Sequence, residues 1–522
     1  MATGSADLAV APHHLGTGAA LDIMEAGGNA VDGAIAANAV LGVVLPDTCG
    51  IGGDLFALVH RPGDQRPFAL NSSGRAGAGM DAAAIRREGH RRMPLHSPWS
   101  VTIPGCVDGW EALLARFGRM RLADILGPAI RHAGDGFEAS PELCASLARV
   151  QDRLAGQESA PPLYPGGRPP EPGQSLSRPG LALTLSELAQ GGREAFYAGR
   201  PGAAIGGATE GRITTTDLNR RSAEWVEPIG IDLFECQAWT IPPNSQGYLT
   251  LAAAWLLERL GVPSDPEDAG YHHAVIEAYR AVSWERDELV ADPDFAPLPA
   301  QRLLDPERLG SRLERIRIDR PASWPPAHAV PGGTAYVCTA DGEGMGVSLI
   351  QSNFTGIGSG LSAGDTGVFL QNRGAGFSLL PGHPNEAAPG KRPLHTLAPT
   401  LWTRRRALAL LLGTRGGHQQ PQLLLQVIAH LFRLGFDPAE AQALPRWTMD
   451  HDRTATTSPI RIEGGMPGVV VRRLADLGHP VEVVPDRHLP GWGPVSLIRV
   501  EDDGHRTGAA DPRISTATAE AR

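Results

Sequence analysis

Small and apolar residues recur at helical spacing through HLGTGAALDIMEA (residues 14 to 26) and NAVDGAIAANAVLGVVL (29 to 45). This predicts two closely packed helices, with Gly27 and Gly28 as the C-cap and turn between them. GIGGDLFALVH and PFALNSS then read as strands, and from 181 to 300 helical patterns such as TLAAAWLLERL and AVIEAYRAVSWERDELV alternate with short strands. Two Pro/Gly-rich stretches, APPLYPGGRPPEPG (160 to 173) and RPASWPPAHAVPGG (320 to 333), read as exposed irregular chain. After the second, strand-rich text begins abruptly at Thr334: TAYVCTAD, GMGVSLIQS, GVFLQN, PTLWT and ALALLLGT, followed by the helix QPQLLLQVIAHLFRLG. The pattern is mixed α/β without an internal repeat.

Composition narrows the function classes. Of the 522 residues, 42% are hydrophobic and 20% charged, the balance of a chain that folds around a core. A net charge of −10, with only the short basic runs RREGHRR (86 to 92) and TRRRA (403 to 407), argues against nucleic acid as a partner. Cys49, Cys106, Cys144, Cys236 and Cys338 are odd in number and scattered singly, which suits core thiols rather than zinc or a disulfide scaffold. The first residues lack a basic n-region and an apolar h-region, and no apolar run reaches bilayer length. The expectation is a cytoplasmic protein without a membrane partner.

An amide-cleaving enzyme needs a nucleophile, a base in reach of it and donors for the developing oxyanion. A threonine at a chain start supplies the first two, because a free α-amino group with a pKa of roughly 7.7 to 8.0 can take the hydroxyl proton near neutral pH. Cleavage between Gly333 and Thr334 would create that end. Gly332 and Gly333 carry no Cβ and tolerate the backbone that brings the Thr334 hydroxyl onto the preceding carbonyl. Taken alone, Thr334 is a strand-opening threonine after a Gly-Gly turn.

Its context changes that reading. GGTAYVCTADGEGMGVSLIQSNFTGIGSG resembles the start of the small subunit in the gamma-glutamyltranspeptidase family. The resemblance continues in order through AGGNAVDGAIAANAVLGVV with GIGGD, TIPGCVDGW at 102, IPPNSQG at 241, DPDF at 292, GKRPLHTLAPT at 390, GTRGG at 413 and AADPR at 509. It implies a four-layer αββα sandwich of the N-terminal-nucleophile hydrolase type. It also implies a large subunit of 1 to 333 and a small subunit of 334 to 522 held together as a heterodimer. Carried across by position, Thr334 matches the nucleophile, Ser352 the hydroxyl residue bonded to it, and Gly416 and Gly417 the glycine pair whose N–H groups form the oxyanion hole.

The same matching finds the amino-acid clamp of the glutamyl-transferring members largely replaced. The carboxylate-binding arginine falls on Ser73, with Arg75 two residues on; the head-group asparagine falls on Phe354, the amine-binding aspartate on Gly376, and a Ser-Ser pair on His395 and Thr396. Arg373 stands where the family has a glutamine, and reads either as a carboxylate fork or as a salt-bridge partner. The implied substrate is a small amide, γ-glutamyl or with a carboxylate-bearing acyl group, as in the family's oxamate amidohydrolases and glutaryl-type cephalosporin acylases. An unprocessed relative that binds a small carboxylate without turnover is the non-enzymatic alternative. Gly360-Leu361-Ser362-Ala363-Gly364 satisfies GxSxG but leads into strand-like text rather than a helix, against a serine-hydrolase elbow. His395, His418 and His272-His273 have no HExxH or carboxylate cluster beside them, so neither a metal nor an organic cofactor is expected.

Overall fold

A computed structural model of the chain describes residues 1 to 325, 327, 332 to 449, 459 to 484 and 492 to 522. Two seven-stranded sheets of wholly antiparallel neighbours form its centre. The first runs Thr518–Ala521, Leu8–Ala11, Gly333–Ala340, Gly346–Phe354, Asp54–His60, Phe68–Ser72 and Glu224–Val226. The second runs Ala2–Gly4, Arg506–Ala510, Val495–Val500, Ala407–Thr414, Thr400–Arg404, Cys236–Thr240 and Ile229–Leu233.

Period-two alternation sorts these strands into layers. Leu8, Val10, Tyr336, Cys338 and Ile350 point between the sheets and meet Leu401, Leu411 and Ile498 of the second. Ala9, Ala11, Ala335, Val337, Val347 and Leu349 face the other way, onto the helices His14–Glu25, Ala30–Val44, Cys106–Phe117 and Pro179–Tyr197. Behind the second sheet, Trp402, Leu410, Leu412 and Leu497 pack on Tyr248–Arg259, Ala269–Ser283 and Gln420–Phe432. The result is the four-layer αββα sandwich.

The first two helices form where the spacing predicts, and Asn29 closes a capping box with Asp32 at the start of the second. GVFLQN differs from expectation. It is irregular chain with one isolated bridge, Ser362 to Phe369, then a 3-10 turn at Arg373–Gly376. Its polar groups go to tertiary partners instead of a ladder: Gln371 N–H donates to Gly52 O, and Asn372 N–H to Asn353 O. The first Pro-rich stretch is less exposed than expected, since Ala160, Leu163 and Tyr164 are buried. In the second, Trp324 is buried, and 326 and 328 to 331 lie outside the described residues. All five cysteines are buried free thiols. Among the described residues no helix is long and apolar enough to cross a membrane.

Candidate active site

Gly333 and Thr334 open a central strand of the first sheet, and the neighbouring strand brings Ser352 beside them through an irregular register between Gly333 and Ala335. Thr334 Oγ1 donates to Gly333 O at 2.7 Å and lies 3.4 Å from Ser352 Oγ. Ser352 Oγ donates to the same carbonyl at 2.6 Å and accepts from Phe354 N–H at 2.7 Å. Gln420 Nε2 reaches Thr334 Oγ1 at 3.5 Å from the start of its helix. Two hydroxyls therefore converge on one peptide carbonyl, which withdraws electron density from it and favours attack at its carbon. Close backbone approach makes this possible: a Cβ on Gly53, in GIGGD, would stand 2.3 Å from Ser352 O.

Gly416 and Gly417 turn the chain from the strand Ala407–Thr414 toward the helix at Gln420, with φ of 126° and 57°. A Cβ on Gly332 would lie 3.0 Å from Gly417 Cα and 3.4 Å from Gly417 N, so the Gly332-Gly333 segment runs against the glycine pair. Gln246, from IPPNSQG, pins the arrangement by donating through Nε2 to both Thr396 O and Gly417 O at 3.0 Å.

Gly332, Gly333, Phe354 and Gly376 line a cavity of about 1400 Å³. Among the described residues its wall holds seven arginines, including Arg86, Arg149, Arg153 and Arg415, against the acids Asp47, Glu142 and Asp287. The wall is electropositive although the chain is acidic overall, an arrangement that draws in anions. Burial pushes the Asp47 carboxyl up, against a Ser146 hydrogen bond and the charges of Arg415 and Arg149.

The other positions matched from sequence lie elsewhere. Ser73 is wholly buried and bonds Asn71 and Asn244. Arg75 pairs with Asp292 and Glu224. Arg373 is 0% exposed behind the Phe354 ring, its guanidinium carbon 4.0 Å from the ring centroid. It donates from Nη1 to Thr396 Oγ1 at 3.1 Å, while Nε and Nη2 find no partner among the described residues. Burial lowers its pKa to about 9, which the Asp54 charge partly opposes. Phe354 itself holds φ of 78°, a strained conformation for a bulky side chain. His395, also fully buried, donates from Nε2 to Asp54 Oδ2 at 3.1 Å while its Nδ1 accepts from Leu397 N–H. Burial first, then Arg373 and Arg392, hold its pKa well below the usual value, so it is neutral. Asp54 is raised to about 7 by burial despite donors from Gln371 and Gly74.

Asp54, Gln371 and Arg153 were not singled out from the sequence. The first two lie in the segments GIGGD and GVFLQN, where a buried acid and its amide partner could have been sought. Ser362 Oγ donates to Gly364 O at 2.9 Å, a local turn bond that gives no sign of an elbow. His272 bonds Pro266 O and His273 bonds His479, and no metal-ligating cluster occurs among the described residues.

The profile of the gamma-glutamyltranspeptidase family matches residues 16 to 521. The chain belongs to this family. It is 35% identical to a glutathione hydrolase-like YwrD proenzyme of Bacillus subtilis, over 98% of this chain and 97% of that one. It is 34% identical to an oxamate amidohydrolase proenzyme of Klebsiella pneumoniae, over 98% of each. A solved cephalosporin acylase from Bacillus halodurans superposes with a TM-score of 0.91 at 32% identity, covering 100% of this chain and 96% of that one. As a family member with an N-terminal-nucleophile hydrolase fold, the protein is an enzyme of amide hydrolysis or acyl transfer.

Proposed function

We propose that the chain is a precursor that cuts itself between Gly333 and Thr334, and that the product hydrolyses small amides whose acyl group carries a carboxylate. The observation that carries this reading is the convergence of Thr334 Oγ1 and Ser352 Oγ on Gly333 O. In the cut, Thr334 Oγ attacks the Gly333 carbonyl carbon, its proton passes to the departing nitrogen, and water hydrolyses the resulting ester. Residues 1 to 333 and 334 to 522 remain together as a heterodimer.

Departure of the Gly332-Gly333 end clears the space beside Gly416 and Gly417, whose N–H groups then stabilise the oxyanion of a substrate. Thr334 Oγ attacks the amide carbonyl, the freed α-amine relays the proton to the leaving amine, and water or an acceptor amine resolves the acyl-enzyme. An arginine-rich wall and the lack of an amide or carboxylate at Phe354 and Gly376 favour acyl groups with a carboxylate and no α-amino group. The name of the oxamate amidohydrolase relative agrees with that class.

Intact mass and N-terminal sequencing of the purified protein beside Thr334→Ala test the reading. Two fragments are expected, one beginning Thr-Ala-Tyr-Val, with the variant uncut and inactive. A single uncut wild-type chain, or activity retained in the variant, overturns it and leaves a carboxylate-binding relative or another nucleophile.

A further inference from the structure

The wall arginines differ in what holds them. Arg86 pairs with Glu386 and Arg513 with Glu463 and Asp511, while Arg415 and Arg149 both bear on Asp47. Arg153, one turn after Arg149 on the helix Pro141–Leu154, has no carboxylate within ion-pair distance and no hydrogen bond among the described residues. It is half-buried, and burial alone lowers its pKa. His96 is the titratable group facing it.

Glycines fix where its charge stands. The side chain lies across Gly360, where a Cβ would meet Arg153 Cγ at 2.6 Å and Cδ at 2.9 Å. Its Nη1 ends at Gly356, 3.5 Å from where a Cβ would be. Gly356 O in turn lies 3.5 Å from the Cβ position of Gly333. One residue's thickness of backbone thus separates the guanidinium from the residue that carries the susceptible carbonyl. Arg373, the alternative fork, is sealed off from the cavity by Phe354.

We infer that Arg153 binds the substrate's acyl carboxylate and sets its distance from the scissile carbonyl, so that the preferred substrates are monoamides of short dicarboxylic acids. The inference rests on the amide-hydrolase reading above and deepens it. A planar fork whose charge the protein leaves uncompensated beside a reacting centre suits a bidentate carboxylate.

The test uses processed enzyme and two series of p-nitroanilides, oxalyl, succinyl, glutaryl and adipyl against neutral acyl groups of equal length. Wild type is expected to prefer one length of the carboxylated series. Arg153→Gln should raise KM for that substrate about 10- to 100-fold, the usual range for losing a charge-assisted pair, with kcat nearly unchanged and the neutral series unaffected. If Arg153→Gln does not fold, Arg153→Lys, which keeps the charge but loses the fork, must show a smaller rise confined to the carboxylated series. Equal changes in both series, or no change, overturns the Arg153 assignment alone. A wild type that cleaves both series without preference for carboxylated acyl groups overturns that assignment together with the proposed acyl class, and leaves the amide-hydrolase reading standing. A wild type that cleaves neither series overturns the hydrolase reading itself.

Discussion

Two cationic regions flank Thr334, and they are built on opposite principles. Beneath Phe354 lies a buried layer in which Arg373, His395, Asp54, Gln371 and Thr396, apart from two Arg373 nitrogens and Gln371 Oε1, are tied largely to one another. Across Gly356 lies the open wall, whose arginines come from the helices Ala82–Arg87 and Pro141–Leu154 and from loops. A buried charge is costly unless its neighbours compensate it, so the lower layer is expected to govern stability. On the wall, Arg91, Arg92, Arg149 and Arg153 remain partly or fully exposed, so these charges are expected to govern binding. Charge near a nucleophile therefore has a role only once its side of the intervening ring is known.

The largest break in this contrast is expected from Asp54→Ala. It leaves the Gly74 N–H and the His395 Nε2–H without their acceptor and removes one of three from the Gln371 amide, and should cost about 3 to 5 kcal/mol of unfolding free energy, from the range for buried polar networks. Urea denaturation measures it. A loss under about 1 kcal/mol would mean that the layer is not a stability element.

Asp54→Asn gives a subtler readout, in pH. Asp54, at about 7 when folded against 3.8 as reference, binds a proton on folding between those values, so its contribution falls as pH rises through that window. His395 works the other way: held neutral when folded, it costs stability as pH drops below 6.5. The two slopes oppose each other in the wild type. Asparagine removes the first, and stability should then rise with pH from 4 to 6.5 more steeply than in the wild type; parallel profiles would exclude Asp54 as the titrating group. The smallest effect should come from salt, which screens the exposed charges of the wall. KM for a carboxylated amide should climb a few-fold between about 0.05 and 0.5 M salt while a neutral amide is unaffected. A salt-independent KM would place the binding charge in the buried layer.

How much of this was legible in the sequence follows the same division. Helical and strand periodicity located Ala30–Val44 and, within one residue, the strand Gly333–Ala340 expected from Thr334, because these depend on neighbours along the chain. Thr334 and Ser352, matched as partners by motif, stand 3.4 Å apart through their hydroxyls. Motif matching could not say which side of Phe354 a matched residue occupies, and so Ser73, Arg75, Arg373, His395 and Thr396, matched as substrate contacts, lie outside the cavity lining. GVFLQN failed as a strand because its apolar run Val368, Phe369 and Leu370 is buried in the cluster under the helices while its backbone bonds go to tertiary partners. Arg153 was invisible for the converse reason: on an amphipathic helix an arginine four residues after another reads as a solvated face.

The order of strands has a mechanical meaning. Leu8–Ala11 is sandwiched between Gly333–Ala340 and Thr518–Ala521, and Ala2–Gly4 hems the far edge of the other sheet against Arg506–Ala510. Asp54–His60 and Cys236–Thr240 join the remaining seams, to Gly346–Phe354 and Thr400–Arg404. One severed peptide bond at Gly333 would leave five stitched seams, each a row of backbone hydrogen bonds. The two pieces would come apart only by unravelling both sheets, so severing the thread alters the chemistry at its end without loosening the cloth.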